Sequence, residues 1–168
     1  MANPPASVPV DGNTKVVLLT TAADTEAIKL TEANASSSTD ISCYLTGDGW
    51  ATTGDQGTIT DSRLCTIQDF EQPGRETGVG LTIRYTFNLD VPADDEARLA
   101  LEKGTTGVAV KRVQKPADEA FAVGDWYEAW PYTAGVQRVM APEANAVDRI
   151  EQKLFITGPV VRFQQIVA

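Results

Sequence analysis

The strongest constraint on the fold lies in residues 81–89, LTIRYTFNL. Ile83, Tyr85, Phe87 and Leu89 fall on one side of a period-two pattern, and Thr82, Arg84, Thr86 and Asn88 on the other. Successive side chains of an extended strand point to opposite faces, so this segment is a strand with one buried face and one wet or polar face. The pattern recurs in 147–157, where Ile150, Leu154 and Ile156 oppose Arg149, Glu151 and Lys153. Further strands are expected over 15–20, with 26–30 as its hairpin partner, and over 41–46, 58–67 with an interruption at Asp61-Ser62, 105–113, 136–140 and 160–167, while the aromatic stretch 121–133 is expected to turn at Gly124-Asp125. Residues 31–40, 47–57 and 68–80 are rich in Ser, Asn, Gly and Pro and are expected to be loops. One helix is expected over 94–103. Acidic Asp94, Asp95 and Glu96 fill its first turn, Leu99 and Leu101 anchor it, and Gly104 ends it. Many short strands with one flanking helix predict a mostly β fold, a β-sandwich or barrel.

With 168 residues, 42% of them hydrophobic, the chain suits a single domain over 15–168. A Pro- and Ala-rich arm over 1–14 precedes it and is expected to be mobile. The net charge is −9 and the pI near 4.4. That balance argues against a basic surface that grips nucleic acid, because such binding neutralises phosphates with Lys and Arg. Histidine is absent. This excludes Ser–His–Asp and Cys–His catalysis and the usual zinc sites. Cys43 and Cys65 match no metal or redox spacing and are expected to be reduced and buried. The first residues lack the basic and apolar regions of a secretory leader, and no apolar run is long enough to cross a membrane. The expectation is a soluble protein made in a cytoplasm.

Three features invite a chemical reading. The Asp94-Asp95-Glu96 cluster is better explained as complementing the helix dipole. Asp48 and Asp55 lie in glycine-rich sequence, but their carboxylates are too sparse for a calcium loop. Trp126, Tyr127, Trp130 and Tyr132 could form a platform for sugar rings, or fill the core and cover an edge. No phosphate-cradling glycine loop is present, and no cofactor is implied.

An ordered set of segments then carries a resemblance. FEQPG (70–74) leads into LTIRYTFNL (81–89), followed by DDEARLALEKG (94–104), TTGVAVKRV (105–113), GDWYEAWP (124–131) and GVQRVMAPEANAVDRIEQKLFITGPV (135–160). In order and spacing this resembles the major tail tube proteins of siphovirus-type bacteriophages, particularly those of actinobacterial hosts. The resemblance implies a structural virion protein that is not an enzyme. It implies hexameric rings that share edge strands and stack into a tube, with an acidic lumen that conducts DNA during ejection without binding it specifically. It also implies tape-measure, tail-tip and terminator partners. Inter-ring contacts are expected at Pro4, Pro5, Asp48, Trp50 and Asp55. Inter-subunit or lumen positions are expected at Arg84, Thr86, Arg149, Glu151 and Lys153. A tail terminator that forms a single ring is the alternative within the class. A carbohydrate-binding β-sandwich using Trp126 and Trp130 is the alternative outside it.

Overall fold

A computed structural model describes residue 3 and residues 6–168, so Pro4 and Pro5 lie outside the described residues. Among the described residues, eight strands build one curled antiparallel sheet: β1 (Thr14–Leu19), β2 (Thr39–Asp40), β3 (Leu45–Asp61), β4 (Phe70–Thr86), β5 (Thr106–Val113), β6 (Trp126–Val139), β7 (Arg149–Ile156) and β8 (Val161–Gln165). Their order is β2-β1-β5-β6-β7-β4-β3, with β8 added on β6. Two short helices accompany them, α1 (Leu30–Ala33) and α2 (Glu96–Ala100). The mostly β class read from the alternation is the class observed.

The alternation also explains the layers. On β1, β5 and the first half of β6, successive residues enter two different cores. Val16, Leu18, Ala109, Trp130 and Tyr132 face inward to Leu81, Ile83, Tyr85, Ile150 and Leu154 of β4 and β7. Val17, Leu19, Val108, Val110, Tyr127 and Ala129 face the other way, where Ile28, Ala33, Phe121 and Ile166 cover them. Strands buried on both faces read as continuous apolar runs, as in VVLL of β1.

Several expectations are corrected. Residues 26–30 do not pair with β1. The Glu32 carboxylate accepts the N–H groups of Lys29 and Ala23, each at 3.0 Å, and this closes a capped turn that opens α1. Lys29 makes only an isolated bridge to Val167. The stretch 31–40 therefore holds most of α1 and all of β2. Residues 41–44 form a turn in which the N–H groups of Tyr44 and Leu45 reach the Ile41 carbonyl. The helix near 94–103 is short. A 3-10 turn over Pro92–Asp94 precedes it, its buried anchors are Ala97 and Leu101, and Leu99 is 45% exposed. Leu89 lies beyond the end of β4 and is exposed. Cys43 and Cys65 are free but exposed, not buried.

The expected turn at Gly124-Asp125 is present, and the residues after it run without a break through 136–139 as the single strand β6, with a bulge between Ala134 and Gln137. A polar cluster fixes that bulge. Gln152 donates to the carbonyls of Leu101 and Gly135 at 2.8 and 3.0 Å and accepts from the Tyr85 hydroxyl at 2.9 Å. Gln137 donates to Tyr85 Oη and to the carbonyls of Arg98 and Leu101. The carbonyls at the end of α2 thus find donors from β6 and β7, meeting the general need of a helix terminus.

A second bulge lies where β8 meets β6, between Tyr127 and Ala129. There Phe163 takes φ 58° and is 71% exposed. A side chain in the left-handed region costs about 1–2 kcal/mol. Glycine would remove that cost but adds freedom to the unfolded chain. Phe163→Gly is therefore expected to stabilise the isolated chain by roughly 0.5–1 kcal/mol in urea denaturation. A loss of stability would show that the ring contributes more than its exposure implies.

Candidate functional site

The glycine-rich stretch 47–57 and, from Phe70 on, the Pro-Gly stretch 68–80 are strands rather than loops. They pair along a ladder from Leu45↔Tyr85 to Asp61↔Phe70, with irregularities between Leu45 and Trp50, Thr53 and Asp55, and Gln56 and Thr58. The neighbour of β4 on its other side, β7, pairs only with Leu81–Thr86. Beyond that point 53–61 and 70–80 form a two-stranded ribbon with both edges open, tipped by 62–69. At about 3.3 Å per residue it projects roughly 30 Å. Nearly every residue along it is exposed, on both faces.

Local chemistry explains how such a ribbon forms. A Cβ on Gly74 would come within 2.7 Å of the Gly57 carbonyl oxygen, so glycine permits the close crossing of the two strands. Pro73, opposite Thr58, sits where an open edge lets it lack a ladder donor. The ribbon carries Asp55, Asp61, Asp69, Glu71 and Glu76 against Arg63 and Arg75. Its tip presents Leu64 and Ile67, each as open as in an unfolded chain.

At the base of the ribbon the outer face of β4 and β7 forms a second feature. Arg84 donates from Nε to Glu151 Oε2 at 2.8 Å and from Nη1 to Asp48 Oδ2 at 2.9 Å. Arg149 reaches Asp48 Oδ1 at 3.5 Å and Glu143 Oε2 at 3.2 Å. The Thr46 hydroxyl donates to Asp48 Oδ1 at 2.7 Å. That bond first, and Arg84 next, outweigh partial desolvation and hold the Asp48 carboxyl below its ordinary range. Bonds to Glu151 and Asp48 push Arg84 upward, so its charge is fixed. This half of the face is charge-compensated.

The structure therefore joins Asp48 to Arg84, Arg149 and Glu151, residues separated widely in sequence. Thr86 lies beside them, its hydroxyl donating to the Tyr44 carbonyl at 3.4 Å. Lys153 faces the same way at the other end of β7, with its ammonium 5.2 Å from the Phe155 ring centre. Trp50 turns elsewhere. Its ring meets Trp130 edge to face at a centroid distance of 6.2 Å and lies under Lys111. Asp55 stands on the ribbon, in a groove with Glu76 and Arg162.

The aromatic platform does not form. Tyr127 is buried in one core and Trp130 and Tyr132 in the other, leaving Trp126 as the exposed member of the group, at 56%. Among the described residues no group of three or more His, Cys, Asp or Glu could hold a metal ion. No helix of the described residues is long and apolar enough to cross a membrane. The open ribbon was missed by sequence reasoning. The usable signal was the pairing of glycines across its strands, Gly57 against Gly74.

A family model described as phage tail tube protein matches residues 1–168. No curated protein matches the chain.

Proposed function

The chain belongs to the phage tail tube protein family, and from that premise we propose that it builds the tube of a long-tailed phage by head-to-tail self-assembly, with the 53–61/70–80 ribbon as its connecting arm. The family supports a structural role in the virion tail and association with other tail components. The observation that carries the finer reading is the ribbon. An isolated two-stranded hairpin is marginal in water, and this one covers no core of its own. Its open edges are a template for pairing with another chain.

In this reading subunits form hexameric rings through shared edge strands, and the rings stack. The free edge of β3, at the end of the strand order, is the edge offered to a neighbour. Asp48 and Asp55 lie along β3, within reach of that boundary, and Pro4 and Pro5 on the preceding arm remain candidates for contact between rings. Trp50 supports the boundary from beneath through Trp130. The face carrying Arg84, Thr86, Arg149, Glu151 and Lys153 lies at the subunit boundary and borders the lumen where a neighbour leaves it uncovered. Arg84 and Arg149 are paired on such a wall and, with an overall charge of −9, give DNA phosphates little to hold. Tape-measure, tail-tip and terminator proteins are the expected further partners.

Negative-stain microscopy of the concentrated full chain tests this reading. Stacked rings are the expected result. Single rings alone would favour a terminator, and a monomer under every condition would contradict both.

A further inference from the structure

We propose that the groove beside Gly135 is the seat for the ribbon tip of a second copy of this chain. The inference rests on the tube-subunit reading and adds to it a defined receptor.

The groove has a volume of about 640 Å³. It exists because β6 bulges between Ala134 and Gln137, which sinks the backbone at Gly135. A Cβ at Gly135 would meet the Lys153 carbonyl oxygen at 2.5 Å and Phe155 Cε2 at 3.0 Å, so glycine keeps the floor low. Val136 and Phe155 supply exposed apolar surface to it. Lys103, Arg138 and Lys153 stand around it. None of these three cations has a carboxylate within 4.0 Å among the described residues. Glu151, also in the lining, is already held by Arg84.

The ribbon tip is the complement. Leu64 and Ile67 are wholly open, and behind them Asp69 and Glu71 carry carboxylates with no cation partner among the described residues. Apolar knobs backed by anions match an apolar floor ringed by cations. The occupant must come from another copy. Thr82 lines the groove at the base of the ribbon, and the ribbon carries its tip roughly 30 Å away from that base. Each subunit therefore has one tip and one seat on different parts of its surface. Two copies could close such a contact only by exchanging tips reciprocally; passed head to tail, it stays open at each end. It propagates, as a ring or tube requires. It also covers three free cations that would otherwise attract phosphate.

Cys65 at the tip supplies a native probe. In the full-length chain with Cys43→Ser and Val136→Cys, a short bifunctional maleimide is expected to link Cys65 of one subunit to the introduced thiol of the next. Denaturing gels should then show a ladder extending beyond dimers, and Cys65→Ser should abolish it. Independently, Arg138→Glu with Lys153→Glu should raise the concentration needed for assembly roughly ten-fold or more, and Asp69→Lys with Glu71→Lys should restore it. Tubes that form normally but give no ladder and ignore the charge reversal would overturn this seat and leave the tube reading standing. So would normal tubes whose groove instead binds a short DNA duplex. Failure of the wild-type chain to assemble at all would overturn both.

Discussion

Replacing residues 55–78 with an Asn-Gly turn is expected to abolish assembly while leaving a folded monomer. The fully buried members of both cores lie outside the replaced segment, and Gly54 and Val79, which approach each other at the ribbon base, are retained. Asn-Gly favours the tight turn that joins antiparallel strands without splaying them. The melting temperature should move by no more than about 4 °C, the equivalent of roughly 1 kcal/mol for a domain of this size. Circular dichroism melts report the first part of the prediction and negative-stain microscopy the second. Normal tubes from the shortened chain would remove the ribbon from the mechanism. An unfolded product would show that the ribbon serves the fold itself.

The second large effect is expected at Asp125. Arg112 and Asp125 are each 1% exposed and pair at 2.9 Å. The Arg112 guanidinium also donates to the carbonyls of Pro116, Ala120 and Glu119, so one buried cation gathers the loop between β5 and β6. Asp125 is bound as well by Lys115 and by the Ala122 N–H. Asp125→Asn leaves the guanidinium buried without its counter-charge, and the expected cost is about 3–5 kcal/mol in urea denaturation at neutral pH. A loss below about 1 kcal/mol would contradict this account of the loop.

The same carboxylate predicts a pH dependence. Burial alone would raise the Asp125 carboxyl, but Lys115, the Ala122 N–H and Arg112 together hold it below its ordinary 3.8. A carboxylate depressed in the folded state adds stability above its unfolded value and loses that contribution as pH falls through the folded value. Wild-type stability should therefore drop in the region below 3.8, and the drop should be smaller in Asp125→Asn. Asp40 and Asp48 are depressed too and contribute to the wild-type drop in both proteins. The comparison between wild type and variant isolates the Asp125 component.

The legible parts of the sequence are those whose own chain buries one face. β4 from Leu81 and β7 alternate because Ile83, Tyr85, Ile150 and Leu154 enter a core while Arg84 and Glu151 do not. The period alone places Arg149 and Glu151 on one face, but not their link to Asp48, direct for Arg149 and through Arg84 for Glu151, because it depends on how β3 folds back across β4. The ribbon was illegible for the same physical reason in reverse. Neither of its faces is buried by its own chain, so 53–61 and 70–80 carry no hydrophobic period, and their glycines and Pro73 signal turns. The helix α2 shows a third case. Its acidic start was clear, but packing chose Ala97 and Leu101 over Leu99, which points outward. The bulge at Gly135 has no local signature, since Gln137 and Gln152 create it through contacts with α2 and Tyr85.

The ribbon has no further strand partner among the described residues, and the proposed tube assembly would supply one. Amide hydrogen exchange of residues 53–61 and 70–80, in the free chain and in assembled tubes, tests it most directly. An open two-stranded ribbon should exchange close to the unprotected rate in the free protein. In tubes the same amides should become strongly protected, while those of β1 and β5 remain protected in both states. Ribbon amides that exchange as fast in tubes as in the free chain would contradict the claim.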